Sequence, residues 1–149
     1  FSSTTFTLFA VATETSTANG DLFTVDDGGN TFCEFRIDAS TKLTVGVKNT
    51  GGSNFEGIKT FPGTGLMIMS TRRTASDVTS YVNGVAGSTT STTGTQRSGT
   101  NRFNVGQFGL GFQYYGGDCA EILYYNTDIG DTNRQAVESY LSDKYGISI

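Results

Sequence analysis

The chain has 149 residues, with 20 Gly, a single Pro, and neither His nor Trp. The lack of His removes Ser-His-Asp and Cys-His nucleophile pairs, imidazole metal ligands and an imidazole base, so any catalysis must rest on carboxylates, Tyr, Lys or Cys. A net charge of -4, with basic residues scattered singly except at Arg72-Arg73, excludes a phosphate-tracking stripe and argues against nucleic acid as a partner.

A chain of about 150 residues buries roughly 68 to 70% of its unfolded surface, which suits one domain with a self-sufficient core. No apolar run approaches the roughly 20 residues that span a bilayer, so no membrane insertion is expected. The first residue is Phe1, which reads as the start of a processed product or of a piece of something longer.

Short apolar alternations separated by Gly, Asn, Asp, Ser and Thr predict an all-β, antiparallel sandwich or jelly roll. In chain order the strands are expected at Thr5 to Thr13, Asp21 to Val25, Phe32 to Asp38, Lys42 to Asn49, Leu66 to Arg72, Asp77 to Val82, Asn101 to Gly106 and Asp118 to Tyr125. In TFCEFRID, Cys33, Phe35 and Ile37 share one face, and Glu34, Arg36 and Asp38 the other. In KLTVGVKN, Leu43, Val45 and Val47 oppose Lys42, Thr44 and Lys48. The turn Ala39-Ser40-Thr41 joins these two into a hairpin, on whose polar face Glu34 and Asp38 are set to pair with Lys42 and Lys48.

Asn83-Gly84 is the dipeptide of a two-residue type I′ turn. The stretch Gly87 to Asn101 has no large apolar side chain and reads as one exposed loop. A single helix is expected at the end: Thr132 and Gln135 form a capping-box pattern, Val137, Tyr140 and Leu141 supply core contacts, and Gly146 terminates it. It is expected to act as a lid on an edge or open end of the sandwich. Glu121, on the same side as Cys119 and Leu123, is expected to be buried beside Arg or backbone amides.

Cys33 and Cys119 belong to no zinc or C-x-x-C spacing. Each sits in an apolar alternation, which fits two buried thiols or a disulfide joining two strands. Asp26-Asp27-Gly28-Gly29-Asn30 is the calcium candidate, through Asp26, Asp27 and Asn30 with Asp128 or Asp131 as distant contributors, because Ca²⁺ takes six to eight oxygens, often from a Gly-bearing loop. The same residues also suit a tight hairpin turn. The aromatics of GQFGLGFQYYGG, among them Phe112, Tyr114 and Tyr115, are too many for the core, so one or two rings are expected to be exposed and able to stack on a sugar.

The segment GGDCAEILYYNTDIGDTNRQAVESYLSDKYGI, Gly116 to Ile147, resembles the closing segment of the concanavalin A-like lectin/glucanase superfamily, in its bacterial and phage laminin-G-like branch. The matching positions are Gly117, Asp118, Cys119, Ala120 and Glu121, then Tyr125 and Asn126, then Tyr140, Leu141, Lys144, Tyr145, Gly146 and Ile147. FTLFAVAT, SYVNGV and FNVGQFG resemble upstream strands of the family in the right order. Cys119 replaces a more usual aliphatic residue. A Trp-containing segment that family members carry before the FTLFAVAT-like strand has no counterpart here, so the chain is expected to be the C-terminal part of a longer polypeptide.

The resemblance implies a jelly-roll sandwich and, for the family's glycosidases, an E-x-D-x-(x)-E strand. The nearest match, Glu34 to Asp38, has Arg36 in place of the middle acid, and its two carboxylates start roughly 13 Å apart along a strand. Arg36 also favours the ionised form of both, where a general acid needs a raised pKa. The expectation is therefore a non-catalytic lectin-like adhesion module that recognises carbohydrate. Its candidate ligand residues are Glu34, Arg36, Asp38, Phe112, Tyr114 and Tyr115, with Ca²⁺ as the one cofactor considered. It is expected outside the cell, on a cell surface or in a virion; the alternative is a structural or decoration domain that contacts other subunits of an assembly.

Overall fold

A computed structural model describes residues 5–13, 19–26, 31–38, 42–49, 54–60, 63, 65–93, 102–108, 111 and 113–149, with only the backbone of Thr31, Phe32 and Asn54. Among the described residues ten strands precede one helix: β1 Phe6–Ala12, β2 Gly20–Asp26, β3 Thr31–Asp38, β4 Lys42–Lys48, β5 Asn54–Thr60, β6 Met67–Arg73, β7 Asp77–Val82, β8 Val85–Ser91, β9 Arg102–Val105, β10 Cys119–Tyr125 and α1 Gly130–Tyr145. They form two five-stranded sheets, in the orders β10-β1-β6-β7-β8 and β5-β4-β3-β2-β9. Every strand pairing within them is antiparallel. The fold is the jelly-roll β-sandwich that the alternation predicts.

The pleat sends alternate side chains to opposite faces. Leu8, Phe35, Ile37, Leu43, Val45 and Met69 thus meet between the sheets, each at most 1% exposed. The FTLFAVA run of β1 is buried at every position, because α1 covers the other face of its sheet. There Phe9, Val11 and Ile68 pack on Leu141 and Ile147. The helix therefore lies flat on a sheet instead of closing an edge or an end.

Its seating differs from the expected apolar stripe. Arg134, Glu138 and Leu141 face the sheet, while Tyr140 is 55% exposed and lines, with Ala136, Val137, Leu123 and Tyr125, a groove of about 640 Å³ beside β10. Glu121 is not buried among amides. It accepts from Lys144 Nζ and Tyr145 Oη, each at 3.0 Å, and the Lys144 hydrogen bond holds its carboxyl below the ordinary value. The helix also begins before Thr132, so the expected capping box does not form: its N-cap is Ile129, with no side-chain cap, and Asp128 Oδ1 accepts from the Gly130 N–H at 3.0 Å. Gly146 ends it in the left-handed conformation, at φ 67°.

Asn83 and Gly84, at φ 46° and 77°, form the expected turn between β7 and β8. The first part of the expected loop Gly87 to Asn101 is strand β8, and residues 94–101 lie outside the described ones. Strands β5 and β8 carry no apolar alternation to predict them, and hydroxyls hold them together. Ser88 Oγ accepts from the Ile58 N–H at 3.0 Å and lies 3.2 Å from its carbonyl; Thr90 and Ser80 donate to the carbonyls of Glu56 and Gly57 at 2.6 and 3.0 Å.

This seam brings two backbones into close approach at Gly87, where a Cβ would stand 2.1 Å from the Ile58 carbonyl oxygen. Gly87→Ala is expected to push β8 away from β5 and to cost about 1–3 kcal/mol, the usual range for overpacking. Urea unfolding checks this.

Both cysteines are free thiols, and only Cys33 is buried. Cys33 points inward from β3, where burial, with Glu34 adding to it, pushes its thiol up to about 12. Cys119 is exposed on β10, an edge strand of the opposite sheet. A bridge needs Cα atoms within about 7 Å, whereas packed sheets lie about 10 Å apart, so neither the disulfide nor the pair of buried thiols is found.

Candidate functional site

The outward face of the second sheet carries the polar half of each alternation, and strand register sorts it into rows. One row runs Asp21, Arg36, Thr44, Ile58; the next runs Asn104, Thr24, Glu34, Gly46, Glu56. Tyr114 extends the first row. Its backbone forms a parallel bridge with Asp21, so its side chain shares the face of Asp21 and Arg36, and its ring is 64% exposed.

The chain is held in this position by several contacts. Gly106 N–H donates to Leu22, Asp21 N–H to Gln113 and Tyr115 N–H to Gly106, at 3.0, 3.1 and 2.9 Å. Gly20 is required beneath it, since a Cβ there would lie 2.9 Å from the Tyr114 carbonyl oxygen. Tyr115, one residue on, faces the other way. It packs against the core and donates its hydroxyl to the Thr13 carbonyl.

Three of the sequence candidates, Glu34, Arg36 and Tyr114, thus share one patch, and Asp38 lies on the same face. Tyr115 does not belong to the patch, and Phe112 lies outside the described residues. Arg36 Nη1 meets Glu34 Oε1 at 2.6 Å, with the side chains 25% and 15% exposed. The expected pairing of Glu34 with a lysine is replaced by this contact along its own strand. Asp38 Oδ1 accepts from the Lys42 backbone N–H at 3.3 Å. Gly46 leaves its place in the second row without a side chain, so Glu34 and Glu56 flank a gap of roughly two strand spacings, about 10 Å.

Beside Arg36 in the first row stands Asp21, a residue that the periodicity does not single out. Asp21 is fully buried, and no N–H or O–H of the described residues reaches either of its oxygens. Burial above all, then the charge of Glu34 and a hydrogen bond to it, pushes the Asp21 carboxyl up to about 8, against a weaker opposing pull from Arg36. At neutral pH Asp21 is therefore a protonated donor to Glu34. The signal available in the sequence was an acid at the start of an otherwise apolar strand, GDLFTVD.

Of the calcium candidate Asp26, Asp27 and Asn30, only Asp26 lies among the described residues. Asp26 Oδ1 accepts from Arg102 Nε and Nη2 at 3.1 and 2.7 Å, and its Oδ2 accepts from Asn104 Nδ2 at 2.5 Å. Its oxygens are thus committed to a guanidinium and an amide. Asp27 and Asn30 lie outside the described residues. Asp128 and Asp131 are bound to Arg72 on the other sheet, at 2.8 and 2.7 Å. Among the described residues no cluster of three acids or cysteines is placed to hold a metal, and no helix is long and apolar enough to cross a membrane.

No protein-family model matches the chain, and no curated protein matches it. Solved structures do. The CBM40 domain of the Ruminococcus gnavus IT-sialidase, solved with α2,3-sialyllactose, superimposes with a TM-score of 0.76 at 16% identity, covering 92% of this chain and 84% of that one. A heptameric SAP-like pentraxin of Limulus polyphemus gives 0.70 at 13% identity over 91% and 70%. The binding domain of botulinum neurotoxin DC, solved with SialylT, gives 0.72 at 10% identity over 93% and 36%. At these identities the likeness is one of fold.

Proposed function

We propose that the chain is a non-catalytic carbohydrate-binding module and that the outward face of the β5-β4-β3-β2-β9 sheet is its ligand face. The observation that carries this reading is the joining of an exposed ring, Tyr114, to a donor-acceptor pair, Arg36 and Glu34, on one rigid sheet. A sugar offers the same two features, an apolar ring face for stacking and hydroxyls for paired hydrogen bonds.

Two of the solved structures named above hold sialylated ligands, which supports a sugar-binding use of the fold. A fold by itself does not carry a function; the weight rests on the patch. A hydrolytic role is disfavoured on the same geometry. Asp21 is fully buried, out of reach of any substrate, and Glu34 is engaged by Arg36 at 2.6 Å.

The module is expected to bind a neutral or acidic oligosaccharide with measurable heat in titration calorimetry. Tyr114→Ala and Arg36→Ala are each expected to weaken that binding at least about tenfold, by loss of stacking and of a charge-assisted hydrogen bond. Absence of binding across a glycan array at millimolar concentrations overturns the reading and favours a structural domain that contacts other subunits.

A further inference from the structure

We infer that two copies of the chain associate edge to edge, by antiparallel pairing of β10 with β10, so that their β10-β1-β6-β7-β8 sheets join into one. The association holds whether or not the opposite sheet binds sugar.

A strand at a sheet edge presents unpaired backbone N–H and C=O groups, and folds guard such edges by covering, shortening or charging them. Two sheets have four edges, here β10, β8, β5 and β9. Among the described residues β5 and β8 close on one another through the hydroxyls of Ser88 and Thr90. Strand β9 has four residues and carries Arg102, which is tied to Asp26. Strand β10 has neither guard. It is seven residues long, and its one charge, Glu121, is already paired with Lys144. Ile122, Leu123, Tyr124 and Tyr125 follow, each partly exposed, whereas every residue of the neighbouring β1 is buried.

The exposure lies on both faces of the strand. Outward, Leu123 and Tyr125 open into the groove that they share with Tyr140, a ring 55% exposed. Inward, the Tyr124 ring meets Phe103 at 6.2 Å between centroids. Phe103 and Val105 pair with the core residues Val25 and Phe23, so they face between the sheets, yet they are 53% and 60% exposed. A further strand beside β10 would cover both sets if it were apolar on both of its own faces.

Among the four edges β10 is itself that strand. In a second copy paired with it, Ile122 and Tyr124 turn inward toward Phe103 and Val105, and Leu123 and Tyr125 turn outward over the groove. Centred on Ile122 or on Leu123, the pairing sets Glu121 opposite Leu123 or Tyr125 of the second copy, and never opposite another charge. The joint uses the same patch on both copies, so it closes at two. Its twofold axis stands perpendicular to the joined sheet, which places both helices on one side and both Arg36–Glu34 patches on the other, facing the same way.

The test is sedimentation equilibrium of the intact chain over a range of concentrations, together with hydrogen exchange read strand by strand. A monomer–dimer equilibrium is expected, with the β10 amides slowing more than those of β9 as concentration rises. Leu123→Glu sets a carboxylate opposite its own counterpart or opposite Glu121, and is expected to raise the dissociation constant at least about tenfold. Thermal unfolding confirms that the variant folds; if it does not, the wild-type exchange decides alone.

A monomer at every concentration overturns the inference. So does a dimer whose β10 amides exchange as in the monomer, a dissociation constant that a folded Leu123→Glu leaves unchanged, or assembly that continues beyond two copies.

Discussion

Glu138→Ala is expected to lower the unfolding free energy by about 3–5 kcal/mol, the cost of stranding a buried charge. Glu138 is 1% exposed under the helix. Its Oε1 accepts from Ser70 Oγ and its Oε2 from Arg134 Nη1, each at 2.5 Å. The Arg134 guanidinium lies 3.8 Å over the centroid of the Tyr81 ring and also reaches Asp131 at 3.2 Å. Asp131 in turn bonds Arg72, which grips Asp128 through two nitrogens at 2.8 and 2.9 Å.

Truncating Glu138 leaves Arg134, only 4% exposed, with a single acceptor at the edge of the network, and it leaves the Ser70 hydroxyl without its acceptor. Glu138→Gln keeps an acceptor for Ser70 and the size of the side chain, but it removes the charge and turns an NH2 toward Arg134 in place of an acceptor, so it is expected to destabilise, though less than the alanine. Chemical denaturation of the three proteins checks the order. Equal stability of wild type and Glu138→Ala would show that the helix is seated by Leu141 and its apolar neighbours alone.

Asp21→Asn is expected to change the pH dependence of stability as much as its magnitude. Asp21 titrates near 8 in the folded chain against an ordinary 3.8, so between about pH 4 and pH 8 the folded state keeps a proton that the unfolded state has released. Rising pH over that window favours unfolding by up to about 1.4 kcal/mol per unit. Asparagine offers its amide N–H to Glu34 in place of the carboxyl proton and does not ionise.

The variant is therefore expected to gain on the wild type steadily from pH 4 to pH 8, with a constant difference outside that window. Urea unfolding at pH 4, 6 and 8 measures it. Parallel profiles for the two proteins would show that Asp21 is ionised throughout.

The parts of the fold that apolar alternation builds could be read from the residues: β1, β3, β4, β6 and β7 lie within a residue or two of where the pleat predicts them. β5 and β8 could not, because NFEGIKT and VAGSTTS present no apolar face, and their place depends on hydroxyls meeting a backbone distant in sequence. The helix was legible in position but not in rotation. Its apolar positions indicated Tyr140 as core, while the contacts of Arg134 and Glu138 with Ser70 and Tyr81, made across more than fifty residues, turn that face toward the groove.

The candidate site divides along the same line. Glu34, Arg36 and Asp38 followed from the period of two within one strand. That Tyr114 joins them and Tyr115 does not depends on which of two adjacent residues bridges Asp21, a matter of register between segments more than ninety residues apart. Asp21 itself carried no signal beyond an acid in an apolar strand.

The helix and the proposed ligand face belong to opposite sheets, with α1 on the outer surface of one and the Arg36–Glu34 patch on the outer surface of the other. Two sheets about 10 Å apart and a helix about 10 Å in diameter separate the solvent side of α1 from the patch. A dye, a resin or a neighbouring protein fixed to the exposed side of the helix would stand behind the sandwich and leave the patch facing outward, which makes the helix the place to anchor this domain in any surface-based binding measurement.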